Sequence, residues 1–237
     1  MLSNRSKVML AGVRDGVPIA LGYLVVSFTL GIIAREAGLN DFEGAIASFF
    51  NLASAGEYAG FMTIKADAPY LEIILITLVA NARYMLMTCV LSQKFSDKTP
   101  FVHRIFVGFG ATDEIFGITV RRKGALNPYY NYGAMLIAVP AWTIGTAVGI
   151  DMGNILPDYA VSALGVALYG MFLAVIIPPI KEEKILGILI LISFVASFIA
   201  ANLPLVSEVS AGTRTIVLTL IIAGGAAYFK PVAEDKK

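Results

Sequence analysis

Cysteine and histidine are nearly missing from this sequence. Cys89 is the sole cysteine and His103 the sole histidine. One cysteine excludes an intramolecular disulfide and a cysteine-rich metal cluster. One histidine argues against a zinc site or a histidine-based triad. Charge is scarce as well. Only 15% of the 237 residues are charged, against about 25% in soluble domains. A soluble chain of this length would need a far more charged surface. The net charge of +1 leaves no basic field for phosphates, which argues against a nucleic-acid partner. Also missing are a nucleotide-binding loop, a metalloprotease motif and a serine elbow, which disfavours ATP-driven transport and hydrolytic chemistry within this chain.

What the sequence has is apolar length. It is 57% hydrophobic, with a mean hydropathy of +0.77. A helix crossing a bilayer needs about 20 mostly apolar residues. Seven stretches qualify: Gly16–Ala34, Gly44–Ile64, Tyr70–Ser92, Tyr129–Ile150, Tyr159–Ile177, Ile185–Leu203 and Gly212–Phe229. The first follows a basic start (Arg5, Lys7, Arg14) and outruns a signal-peptide core, so it reads as a span. An eighth stretch, Phe101–Val120, carries His103 and Arg104 at one end and Asp113-Glu114 in the middle, and reads as interfacial or re-entrant. The expectation is one all-α polytopic membrane domain, in the plasma membrane. Its connections are short and turn-rich, with Gly38 stopping the first span and Asn40 or Asp41 capping the next helix. The tail, Glu234 to Lys237, reads as solvated. Lysine and arginine are distributed with the same bias for seven or eight spans, and both counts put the C-terminus in the cytoplasm.

A faint internal echo links 12–95 to 128–203, with 96–127 connecting them and 212–229 as a last helix. Asp41-Phe42-Glu43-Gly44-Ala45 is echoed by Asp158-Tyr159-Ala160-Val161-Ser162. Two three-helix repeats of opposite orientation, common in secondary transporters, are expected to flank a midplane site.

The polar residues inside the apolar stretches carry the functional reading. Asn51, Ser54 and Glu57 lie in the second stretch, Asn81 and Arg83 in the third. A buried acid and a buried arginine each cost roughly 2.5–3.5 kcal/mol on insertion scales, and are expected where they face a cavity, partner or substrate. Arg83 is either one half of a structural ion pair with Glu57 or Asp113, or a fork for a substrate carboxylate. It stands two residues from Asn81, so the two cannot share one face of a straight helix. Either the helix unwinds there or each serves its own neighbour. Glu57, within a run of small residues, is a packing acid, an ammonium acceptor or a proton carrier. Asp113 and Glu114 either favour a helix start or form a proton or cation site. Trp142, beside Gly145 and Gly149, reads as a packing residue.

Four segments stand together: Gly12-Val13-Arg14-Asp15-Gly16-Val17-Pro18, the small-residue stretch Phe49–Phe61, Val79-Ala80-Asn81-Ala82-Arg83-Tyr84-Met85-Leu86, and Thr112-Asp113-Glu114-Ile115-Phe116. They resemble the AzlC family of branched-chain amino-acid permeases. The resemblance implies ion-gradient-driven export of valine, leucine or isoleucine, with no cofactor, and a separate small AzlD-type membrane subunit. It implies a Gln in the second stretch where this chain has Glu57. Arg83, Asn81, Glu57, Ser54 and Asn51 are the candidate substrate-binding residues; Glu57, Asp113 and Glu114 are the coupling candidates. The rival readings are a membrane assembly subunit with no pathway of its own, or an intramembrane enzyme.

Overall fold

The computed structural model describes residues 4–153, 155–157, 159–164, 166, 170, 173, 177, 180–181, 183–204 and 206–229. Among them the protein is all-helical, with one isolated bridge between Phe95 and Leu126. Ten helices are defined: α1 (Asn4–Glu36), α2 (Asp41–Asn51), α3 (Ser54–Lys65), α4 (Tyr70–Ala80), α5 (Ala82–Lys94), α6 (Phe101–Phe109), α7 (Asp113–Val120), α8 (Pro128–Met152), α9 (Lys184–Asn202) and α10 (Ala211–Phe229).

Four of these are long and apolar enough to cross a membrane: α1, α8, α9 and α10. The expected spans Gly16–Ala34, Tyr129–Ile150, Ile185–Leu203 and Gly212–Phe229 fall on them. Tyr70–Ser92 is not one straight helix. It divides at Asn81 into α4 and α5, bent by 46°, and counts as a fifth crossing if the pair is one broken span. The expected span Tyr159–Ile177 and its Asp158 echo lie largely outside the described residues, as do Pro178, Pro179 and the tail.

The frame is the pair α1 and α8, packed along nearly their full lengths. Gly12 meets Tyr130 and Ala134, Gly145 meets Leu24 and Ser27, and Gly149 meets Phe28. Residue numbers rise together on both helices, so they run parallel. Glycine permits this approach, because a Cβ on Gly31 or Gly149 would overlap a main-chain carbonyl of the other helix. This corrects the expected repeats: units beginning at α1 and α8 with opposite orientation would set these two helices antiparallel.

The stretch Gly44–Ile64 is also corrected. It does not cross. Asn40 caps α2, accepting from the Glu43 N–H at 2.9 Å while Glu43 accepts from the Asn40 N–H at 3.0 Å. α2 then runs against α8 in the opposite sense, with Gly44 beside Ile150 and Ser48 beside Thr146. At Leu52 the backbone turns left-handed (φ +47°), a conformation that costs a non-glycine residue roughly 1–2 kcal/mol. α3 returns, and Lys65 at its end pairs with Glu36 at the end of α1 at 2.7 Å. Helices of 11 and 12 residues rise about 16–18 Å each, about half a hydrocarbon core of ~30 Å.

Phe101–Val120 makes a second fold-back, from the opposite end. Arg104 in α6 donates to the carbonyls of Ser92 and Ser96, and α7 comes back so that Lys94 donates to the carbonyls of Val120 and Arg122. The two tips approach one another, with Phe49 and Phe109 at 5.7 Å. A helix, straight or broken, followed by a fold-back therefore occurs twice in opposite senses, as α1 with α2–α3, then α4–α5 with α6–α7.

Basic residues gather at one end of the bundle. Arg5, Lys7, Lys94, Lys98, Arg104, Arg121, Arg122 and Lys123 lie at the start of α1 and α8 or in the turns beside them, with Arg14 further along α1. The opposite end holds Arg35, Lys65 and Arg214; there Glu72 of α4 accepts from Ser210 and the Thr213 N–H at the start of α10.

Candidate functional site

The two tips close on a cavity of about 310 Å³. Leu52 and Ser54 line it from the first hairpin, and Thr112, Asp113 and Glu114 from the second. α1 contributes Pro18, Ile19, Gly22, Tyr23 and Val26, α5 contributes Tyr84, and α8 contributes Trp142. The volume lies within the usual range of small-molecule sites, and the lining mixes an apolar wall with a few converging polar groups.

Each polar side chain has a local reason for its position. Asp113 and Glu114 open α7, where negative charge meets the helix start favourably, and Thr112 caps that helix by accepting from the Ile115 N–H at 3.3 Å. Tyr23 is 6% exposed, and its hydroxyl lies 2.5 Å from Thr112 Oγ1 and 2.6 Å from Glu114 Oε2. Its ring stands edge-on to Trp142, 4.9 Å between centroids. α3 begins at Ser54 behind Ala53, which supplies no side-chain cap, so the first N–H groups of α3 point from the tip without one.

Arg83 pairs with Asp113 at 2.8 Å, both side chains about a third exposed. Its guanidinium lies 5.2 Å from the Tyr84 ring centroid. Of the two partners expected for Arg83, Asp113 is the one it meets. Asn81 donates to Asn51 Oδ1 at 2.6 Å. The unwinding and the separate neighbours posed as alternatives thus both occur, because the break at Asn81 turns the two side chains to different hairpins. Asn81 Oδ1 and Arg83 Nε have no hydrogen-bond partner among the described residues.

Glu57 lies behind the cavity wall and is 1% exposed. Oε1 accepts from Trp142 Nε1 at 2.5 Å and Oε2 from Ser48 Oγ at 2.6 Å. Ser48 Oγ lies 2.7 Å from Thr146 Oγ1. Both carboxylate oxygens are thus engaged, and Glu57 ties both arms of the first hairpin to α8. Of the residues singled out from sequence, Ser54, Asp113 and Glu114 line the cavity, Arg83 touches it through Asp113, and Glu57 reaches it through Trp142. Asn51 and Asn81 join the first tip to the helix break.

Tyr23, Tyr84 and Thr112 were not singled out by the sequence reasoning. Thr112 had a visible signal, a hydroxyl residue directly before an acidic helix start. Tyr84 adjoins Arg83. Tyr23 had none, since a tyrosine within an apolar run is unremarkable without its distant partners.

Comparison with known proteins adds the following. The family described as AzlC protein matches residues 18–156, more than half of the chain and inclusive of every residue lining the cavity. An uncharacterized membrane protein of Archaeoglobus fulgidus is 29% identical over 184 residues, 77% of this chain and 80% of its own length. The inner membrane protein YgaZ of Escherichia coli is 22% identical over 186 residues, 76% of each chain. No solved structure matches.

Proposed function

This chain belongs to the AzlC family, and from that premise we propose that it is the large subunit of a transporter that exports small apolar amino acids such as valine, leucine and isoleucine. The observation that carries the reading is the cavity held between two half-depth hairpins entering from opposite ends. Broken helices meeting at mid-depth are how transporters present backbone and charge to a substrate inside lipid. The carboxylate faces the uncapped start of α3 at Ser54, with Arg83 adjacent. Glu114 and Asp113 face the ammonium. Ile19, Val26 and Leu52 receive the side chain. Such a wall separates substrates by only about 1–3 kcal/mol per methylene, so several related amino acids are carried. An ion gradient drives the flux, with Glu57, Asp113 and Glu114 as the acids available to couple it, and a small AzlD-type subunit completes the complex. Vesicles holding both subunits and loaded with labelled valine, leucine or isoleucine release label faster than empty-bilayer controls. No flux of any of the three rejects the reading.

The gathering of basic residues at the starts of α1 and α8 supports a plasma-membrane orientation with both termini cytoplasmic. Cysteines placed one at a time at Leu39, Asp67 and Lys98, with Cys89 replaced by serine, test it. An impermeant reagent added outside labels positions 39 and 67 alike and spares position 98. Labelling of 39 and 67 from opposite sides restores a full crossing between them.

A second reading, an assembly subunit without its own pathway, draws support from the Arg83–Asp113 pair and the fully bonded Glu57. Under it, Arg83→Lys and Glu57→Gln lower the yield of complex and leave transport per complex intact.

A further inference from the structure

The charge around the cavity is not balanced, and the imbalance points to which end of a substrate is recognised. Asp113 is neutralised by Arg83 at 2.8 Å. Glu114, next to it and exposed, has no basic partner among the described residues and accepts from the Tyr23 hydroxyl. No Lys, Arg or His lines the cavity. Three aromatic rings do: Tyr23, Tyr84 and Trp142. The Arg83 guanidinium already lies 5.2 Å from the Tyr84 ring centroid, so Tyr23 and Trp142 are the rings left beside the unpaired acid. A carboxylate beside such rings is a setting for a cation, because the ring quadrupoles and the acid attract the same charge.

We propose that Glu114 is the specificity-determining residue of the cavity, and that with Tyr23 and Trp142 it selects ligands bearing a primary ammonium. The inference rests on the reading of the cavity as an amino-acid site. The ammonium donates to Glu114, and Tyr23 turns its hydroxyl to Thr112, 2.5 Å away. An acid of the same shape that lacks the amine brings a like charge against Glu114 and is refused. A carboxylate-free amine keeps the interaction that matters. Recognition by the amine, with the carboxylate secondary, is the reverse of a site built around an arginine fork.

Trp142 is the only tryptophan in the chain and lines the cavity, so its emission reports occupancy without requiring transport. The test is a titration of the purified full chain in detergent with L-valine, isobutylamine and 3-methyl-2-oxobutanoate. Valine and isobutylamine shift the emission saturably, and the oxo acid leaves it unchanged. In Glu114→Gln the apparent affinity for valine falls about tenfold or more, the scale of one charge-assisted hydrogen bond. Tyr23→Phe, which keeps the ring, loses less. Unchanged helical content and melting of both variants show that the loss is local. An oxo acid that shifts the emission as readily as the amine, or a Glu114→Gln protein that binds valine as before, overturns the inference and leaves the transport reading standing. No response to any of the three ligands overturns the inference, and valine efflux from the two-subunit vesicles then decides the transport reading separately.

Discussion

Glu57→Ala is expected to cost on the order of 3–5 kcal/mol of stability and to remove most of the folded protein, whereas Glu57→Gln is expected to cost less than about 1 kcal/mol. Alanine leaves the indole N–H of Trp142 without its acceptor and cuts Ser48 off from the tip, where Glu57, Ser48 and Trp142 are all buried. Each such orphan costs about 1–3 kcal/mol, and the vacated side-chain volume adds to it. Glutamine keeps most of the network and orphans fewer groups than alanine. Its carbonyl accepts from Trp142, its amide donates to Ser48 Oγ, and the Ser48 hydroxyl turns to Thr146 Oγ1, 2.7 Å away. The same rewiring explains how Glu57 can stand where the family resemblance implies a Gln. Thermal melts in detergent and the monodisperse fraction on size exclusion read both variants. If Glu57→Gln melts normally yet no longer responds to an ion gradient, coupling belongs to the carboxylate; if it transports normally, the acid serves the fold.

The second large effect lies on the α1–α8 seam. Gly31→Leu or Gly149→Leu is expected to abolish the folded state. A side chain at either position meets a main-chain carbonyl of the facing helix, so no neighbouring rotamer can relieve the overlap. Ordinary overpacking costs about 1–3 kcal/mol because side chains yield; two helix backbones in contact must separate instead, and the separation carries away the wall that holds Trp142 and Tyr23. Gly22→Leu is the contrasting variant. A Cβ there meets nothing within 4 Å, while Gly22 lines the cavity. That protein is expected to fold and to lose transport as leucine fills the space. Expression, melting and valine efflux of Gly31→Leu and Gly22→Leu, run side by side, separate a structural glycine from one that leaves room for a ligand.

The crossings were legible where apolar length is decisive. α1, α8, α9 and α10 follow from composition and length alone, and Gly38 marks the end of α1 and Asn40 the start of α2 in the sequence. The hairpin of α2 and α3 was not legible. Gly44–Ile64 is long enough to span, and its turn at Asn51-Leu52-Ala53 has neither glycine nor proline. A leucine takes the left-handed turn because Ser48 and Glu57 fasten the two arms to Thr146 and Trp142, roughly ninety residues away, contacts that no local pattern displays. The parallel run of α1 and α8 is hidden for the same reason, since each glycine's meaning depends on a partner on the other helix. In the site, charge within apolar stretches announced Arg83, Asp113 and Glu114, and the two-residue spacing of Asn81 and Arg83 announced the helix break. Charge could not announce Tyr23, Tyr84 or Thr112, which are ordinary residues in an apolar sequence until the fold gathers them at one cavity.

The account turns on whether an amino acid occupies the space between the two hairpin tips. Ser54 lines that space at the start of α3, and with Cys89 replaced by serine, Ser54→Cys becomes the only thiol. The measurement is the rate of its modification by a small neutral maleimide in transport-active vesicles, with and without saturating L-valine. The account predicts that valine slows the reaction several-fold and that a non-transported acid of the same size does not. A rate unchanged by valine, in vesicles that carry valine normally, would contradict it.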